Sequence, residues 1–296
     1  MRGLLPQTEP RPGHPFLAGA PLLIAHLGGA ALAPENTLPA FDRALRWWRT
    51  DILELDVQPT RDGEAVVIHD SALGRTTDGS GPVAEHTAAE LRELDAGFHF
   101  TPDSGATYPF RGRGVGVPTL REVLAEFPGA RFNLEIKDPA ASAAVFAAVA
   151  DSHAQRRVLV AAGHRGAGRR FARYPGATSA SASQLRRFYV ASRLRLARWW
   201  RPHTDALQIP LRYGGREVAT PTLVRDAHRH NLAVHVWTVD DADEMRRLLE
   251  RGVDGVVTDR PDRLAGVIHE LTGRPLPPGP PPDEAEPAVA RLLAAG

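Results

Sequence analysis

The chain has no cysteine and only two methionines among its 296 residues. Disulfides, thiolate metal sites and a cysteine nucleophile are therefore excluded. The absence fits a cytosolic protein. No apolar run approaches the length of a membrane span. Residues 1–20 carry Pro6, Pro10, Pro12 and Pro15 and no continuous apolar stretch, so they read as an N-terminal extension, not a signal peptide. Lysine is nearly absent too. Lysine and arginine total 36, yet Lys137 is the one lysine. An ammonium is a compact, strongly hydrated charge where a guanidinium is a planar fork. A lysine surviving at a solvated strand end and a lysine kept for a local reason both fit that fact.

The net charge of +1 hides a split. Residues 156–216 hold fourteen arginines and one acid, Asp205, a local +13, which leaves 22 basic against 34 acidic residues elsewhere, or −12. One face made for an anionic partner is implied. Residues 273–296 open on a proline-rich run and read as a flexible tail.

Strand-like runs alternate with helix-patterned ones. The strands are expected at 22–26, 52–57, 131–137, 158–162, 178–181, 206–209, 233–238 and 255–258. The helices are expected at 38–48, 120–127, 141–152, 165–173, 184–200, 221–230, 242–251 and 261–271. Alternation predicts parallel strands with crossover helices, and eight of each predict an α/β protein, a (β/α)8 TIM barrel spanning 21–272. No Gly-x-Gly-x-x-Gly turn follows the first strand, which counts against an open doubly wound sheet. Residues 70–118 form a loop-rich insertion after the second strand, and Ala65–His69 is expected to pair back on that strand after Arg61-Asp62-Gly63.

Side chains two apart on a strand share a face. Glu54 and Asp56 therefore point the same way, and so do Glu135 and Lys137. With His26 and His69 they fall at C-terminal strand ends, where barrels place their active sites. Three carboxylates make a hard oxygen site suited to Mg²⁺ or Ca²⁺ rather than zinc. Two histidines suit acid and base work near neutral pH. Lys137 offers fixed positive charge to an anionic substrate. Each feature alone fits an ordinary solvated edge or loop contact; their joint placement is what points to a site.

The segments Ala25-His26-Leu27-Gly28-Gly29, Pro34-Glu35-Asn36-Thr37, Leu53-Glu54-Leu55-Asp56-Val57, Thr60-Arg61-Asp62-Gly63, Ile68-His69-Asp70, Val117-Pro118-Thr119-Leu120, Leu134-Glu135-Ile136-Lys137, Val236-Trp237-Thr238 and Gly255-Val256-Val257-Thr258-Asp259 occur in this order. Together they resemble the glycerophosphodiester phosphodiesterase family over residues 21–271. Tyr108-Pro109-Phe110-Arg111-Gly112 and Gln208-Ile209-Pro210 resemble its lysophospholipase D-like branch. The resemblance implies hydrolysis of glycerophosphodiesters or lysophospholipids to a glycerol phosphate or lysophosphatidate and an alcohol. It implies a divalent cation on Glu54, Asp56 and Glu135, acid/base roles for His26 and His69, phosphate binding by Lys137, support of the first loop by Glu35 and Asn36, and a pocket wall at Trp237.

One departure stands out. The family usually has an arginine after the first histidine, and this chain has Leu27. Arg75, Arg111, Arg113 and Arg165 are candidate substitutes, and Lys137 is expected to carry more of the phosphate binding than in relatives. A sphingomyelinase D-type phosphodiesterase and a non-catalytic phospholipid- or phosphate-binding barrel are the alternative readings. The absent cysteines count against the first, and the intact carboxylates and histidines against the second. Finally, residues 183–201 pair an apolar helical stripe (Leu185, Phe188, Tyr189, Leu196, Trp199, Trp200) with arginines, Ser183 being the expected N-cap. Two readings are an outer barrel helix and a peripheral contact with anionic membrane. No nucleic-acid motif accompanies the charge.

Overall fold

Alternation along each strand sorts the side chains between two cores. In the computed structural model, which describes residues 14–161 and 174–292, the strands are β1 (Leu22–Ala25), β2 (Ile52–Pro59), β3 (Ala65–Val67), β4 (Phe132–Ile136), β5 (Val158–Ala161), β6 (Ala177–Thr178) and β7 (Ala206–Pro210). They continue with β8 (Arg212–Tyr213), β9 (Arg216–Glu217), β10 (Ala233–Trp237) and β11 (Gly255–Thr258). Eight parallel strands run in the order β6-β5-β4-β2-β1-β11-β10-β7, and β3 folds back antiparallel on β2. The Ser179–Ala206 bridge closes the ring between β6 and β7, where the Ala180 N–H donates to Ala206 O (2.9 Å).

On β2, Leu53, Leu55 and Val57 face outward and pack with helix residues such as Phe41, Val123 and Val145. Ile52 faces inward and joins Leu22, Ile24, Leu159, Ala177 and Ala206 around Phe16, which seals the N-terminal end of the barrel. Arg131 fastens this plug, donating to Phe16 O (2.7 Å) and Ala18 O (2.9 Å). Beyond the plug the interior holds polar side chains. His235 is 1% exposed and neither ring nitrogen has a hydrogen-bond partner among the described residues.

The outer helices are α1 (Leu38–Trp48), α3 (Leu120–Glu126), α4 (Ser142–Asp151), α5 (Ala182–Arg193), α6 (Pro221–Arg229), α7 (Ala242–Glu250) and α8 (Pro261–Thr272), with a short α2 (Ala88–Arg92) in the insertion. Side-chain caps start several of them: Thr37 on α1, and capping boxes Thr119/Glu122 on α3 and Ser181/Gln184 on α5. The cap of α5 is thus Ser181, not Ser183. The expected helix at 184–200 breaks at Arg193, and a 3₁₀ turn at Ala197–Trp199 follows. The helix expected at 165–173 lies outside the described residues. Residues 70–118 are largely irregular as expected, but they have a core of their own, in which Leu73, Val83, Leu91 and Phe110 pack with Trp48.

The proline-rich end differs from its sequence reading. Gly279 lies so close to α1 that a Cβ there would sit 2.6 Å from the Trp48 ring. A further helix, α9 (Pro282–Leu292), follows and buries Ala285 and Val289 against the insertion core. Proline is tolerated in a first helical turn, so a proline-rich start does not forbid a helix. Among the described residues no helix is long and apolar enough to cross a membrane.

Candidate active site

Parallel pairing of β2 with β4 sets Asp56 opposite Glu135 and Glu54 opposite Asn133. Side-chain oxygens of Glu54, Asp56 and Glu135 lie within 4.8 Å of one another. Burial raises the Glu54 pKa. Burial, then the Glu54 charge, push Asp56 up to about 8 against the opposing pull of Lys137. The Lys137 Nζ stands 3.0 Å from Asp56 Oδ1 and 3.2 Å from Glu135 Oε2. Burial works to lower the lysine pKa, but the charges of Asp56 and Glu135 outweigh it and raise it. Asp56 is 1% exposed, and while its Oδ1 faces Lys137, its Oδ2 has no hydrogen-bond partner among the described residues. A buried carboxylate oxygen without a donor, beside two more carboxylates, belongs to a set that fits a hard divalent cation.

The first histidine opens a 3₁₀ turn directly after β1. The Leu27 that follows takes a left-handed φ of 52° and donates its N–H to Glu54 Oε2 (3.0 Å), so this loop is seated on one carboxylate of the cluster. Asn36, also at positive φ, accepts the Asp56 N–H on its Oδ1 (3.2 Å) and ties the loop to β2. His26 Nδ1 lies 2.7 Å from Asp259 Oδ1, just past β11. Asp259 is itself positioned, its N–H donating to Asp240 Oδ1 (2.8 Å). Burial alone would lower the His26 pKa; the Asp259 hydrogen bond and the charges of Glu54, Asp259 and Asp56 outweigh it and raise it to about 9.

His69 follows β3 and has a matching arrangement. Its Nδ1 lies 2.6 Å from Asp70 Oδ1, and Gln58 donates to its carbonyl (2.9 Å). Arg75 grips the far oxygen of Asp70 (2.5 Å) and both oxygens of Glu35 (2.7 Å each). The Arg75 hydrogen bond holds the Asp70 carboxyl below the usual carboxylate range. Each histidine therefore has one ring nitrogen held by a carboxylate of its own.

A family model described as glycerophosphoryl diester phosphodiesterase family matches residues 26–263. The chain belongs to the glycerophosphoryl diester phosphodiesterase family. It is 31% identical over 258 residues to a glycerophosphodiester phosphodiesterase of Caldanaerobacter subterraneus subsp. tengcongensis, covering 84% of this chain and 98% of the relative. The glycerophosphoryl diester phosphodiesterase domain of an uncharacterized Mycobacterium tuberculosis protein superposes with a TM-score of 0.73 at 23% identity, over 84% of this chain and 98% of that one. An Oleispira antarctica phosphodiesterase in complex with the product sn-glycerol-3-phosphate superposes with a TM-score of 0.63 at 27% identity, over 84% and 97%. The chain is thus an enzyme, a phosphoric diester hydrolase of the glycerophosphoryl diester phosphodiesterase family.

The residues singled out in the sequence converge on one end of this phosphodiesterase barrel. His26, Glu54, Asp56, His69, Glu135 and Lys137 come from the ends of β1 to β4, Glu35 and Asn36 from the first loop, and Trp237 ends β10 with 45% of its surface exposed. The substitutes for the usual arginine fare differently. Arg75 is committed to Glu35 and Asp70. Arg111 stacks on Tyr108 (3.8 Å) and Phe98 (4.4 Å) and donates to Phe98 O. Arg165 lies outside the described residues. Sequence reasoning missed the histidine partners. Asp70 adjoins His69 in sequence, but nothing local marks Asp259 as the partner of His26, or Arg75 as the clamp behind Asp70.

Proposed function

We propose that this enzyme hydrolyses glycerophosphodiesters to a glycerol phosphate and a free alcohol, with His26 and His69 dividing the proton transfers. The observation that carries this reading is the pair of histidine–carboxylate contacts flanking one cluster of three carboxylates and a lysine. A carboxylate on Nδ1 fixes the tautomer and leaves Nε2 to take or give a proton. One histidine takes the proton of the attacking oxygen, and the other gives one to the departing alcohol oxygen. A divalent cation, Mg²⁺ or Ca²⁺, on Glu54, Asp56 and Glu135 would supply charge neutralisation at the phosphodiester oxygens. Lys137 holds a phosphate oxygen from the same side. Glu35 and Asn36 keep the first loop in place, and Trp237 covers the glycerol portion. Lysophospholipids are the wider substrate class of the same reading, an acyl chain lying along the exposed Trp237.

The test is choline release from glycerophosphocholine and from lysophosphatidylcholine, with Mg²⁺, Ca²⁺ or EDTA. Release should need the cation and should fall at least ~100-fold in His26→Ala and in His69→Ala. Release undiminished by either substitution, or by EDTA, would sink the mechanism.

A further inference from the structure

One exposed surface has no place in that chemistry. After Ser181 the chain turns outward into α5 and runs back toward the N-terminal end of the barrel. It arrives there: Ala197 O lies 2.7 Å from Nε2 of His230, the residue that closes α6 just before β10 begins. The inward side of the segment is satisfied. Phe188 is fully buried, with Trp200 (6.4 Å) and His230 (6.3 Å) against it. A second apolar row then remains outside. Val190 is 53% exposed, Leu194 62%, Leu196 50% and Trp199 74%. Val190 and Leu194 are one helical turn apart, and the Leu196 N–H donates to Ala191 O (2.7 Å), which folds Leu196 back beside them. The hollow they share with Arg186 and Arg187 measures about 410 Å³.

The charge carried by this segment has one sign. Residues 183–201 contain six arginines and no acid, and all six are exposed. Arg198 stacks on Trp199 at 4.8 Å, which places a cation and an amphipathic ring at the same level. Single exposed apolar residues are ordinary; four on one segment that also carries six exposed arginines and no acid are not. Nucleic acid would answer the charge and leave Val190, Leu194 and Leu196 in water. An anionic bilayer answers both, with lipid headgroups for the arginines, hydrocarbon for the aliphatic row and the interface for tryptophan.

We propose that this face docks on an anionic phospholipid surface and directs the catalytic mouth, at the opposite end of the barrel, toward water. The docking stands apart from the proposed activity; only the orientation rests on the site being at the β1–β4 ends. A mouth turned from the bilayer takes up diesters dissolved in water, not lysolipids still anchored in that membrane.

The experiment is co-sedimentation of the full chain with phosphatidylcholine vesicles and with vesicles half phosphatidylglycerol, at low and at raised salt. Binding should favour the anionic vesicles at least ~10-fold and weaken with salt. Arg186→Glu/Arg187→Glu/Arg198→Glu should reduce it on the order of 100-fold, and Leu194→Ser/Trp199→Ser about 10-fold or more. His26→Ala should bind like the wild type, so that a lost activity and a lost docking are told apart. Quenching by brominated lipid should vanish in Trp199→Phe and persist in Trp237→Phe. The proposal is overturned by no sedimentation on anionic vesicles at low salt, by variants that bind unchanged, or by a dimer in solution that these same substitutions dissolve. Quenching lost with Trp237→Phe instead would overturn the orientation.

Discussion

The imidazole of His26 and the carboxylate of Asp259 meet at 2.7 Å across 233 positions of sequence. The pairing joins the first loop of the barrel to the last strand, because β1 and β11 are neighbours in the ring. Closing the barrel therefore assembles the candidate site, and an imperfect closure would separate His26 from the carboxylate paired with it.

Replacing that carboxylate gives the first test. Asp259→Asn should lower kcat at least ~100-fold with little change in KM, since the loss is of orientation and charge behind the imidazole. The His26 pKa of about 9 should fall with it, read by NMR titration of the cation-free protein. A folded pKa raised above the ordinary 6.5 stabilises the protein fully below 6.5, and the contribution is lost as pH rises through about 9. The difference in melting temperature between wild type and variant should follow that course. Parallel melting curves from pH 6 to about 10 would refute it.

Lys137 pairs with Asp56 and Glu135, so its removal should act in two opposite directions. Lys137→Ala should reduce kcat/KM about 100-fold through lost phosphate binding, yet tighten Mg²⁺ or Ca²⁺ binding in calorimetry, because a competing cation has gone. Leu27→Arg in that background should recover part of the rate. A loss of less than a few-fold would show that the phosphate is held elsewhere.

Arg75 spans two acids, one of which orients His69. Arg75→Ala should lower kcat about 10- to 100-fold, the usual cost of losing a partner behind a site residue. Arg75→Lys should rescue poorly, since an ammonium cannot bridge three oxygens in one plane. An effect confined to KM would mean instead that Arg75 contacts the substrate.

Buried His235 is held neutral. Burial lowers its pKa from 6.5 to about 4, with Arg131 adding to the effect and Asp254 opposing it. A depressed pKa gives a stability that is present above pH 6.5 and lost as pH falls toward about 4, because the unfolded chain takes the proton first. The loss is of order 3 kcal/mol across that window. His235→Leu should flatten the decline, seen in urea unfolding at pH 7 and pH 4.5. Wild type and variant losing stability equally between those values would exclude this account.

Much of the barrel was readable because an apolar outer face and a polar inner face leave a period of two along β2 and β4. That same period put Glu54 with Asp56 and Glu135 with Lys137. What stayed hidden depends on distance in sequence or on competition between signals. Asp259 has no local feature that names His26. Ser181 and Ser183 are both plausible caps, and Gln184, three residues after Ser181, decides for the earlier one. The exposed row of Val190 and Leu194 was masked by the inward stripe through Phe188. The last helix was obscured by the prolines that precede it, while its buried positions, Ala285 and Val289, are only two.

That last helix bears on the residue next to Asp259. Arg260 is 5% exposed and divides its guanidinium among Asp262, Glu286 on α9 and the carbonyl of Pro282. Cutting the chain at Gly279, where the composition invites it, would strip two of those partners and leave a buried cation half-answered beside the carboxylate that holds His26. The tail is in this sense a keystone: a shortened protein would still spell every motif of the site, and could lose its activity from the far end of the polypeptide.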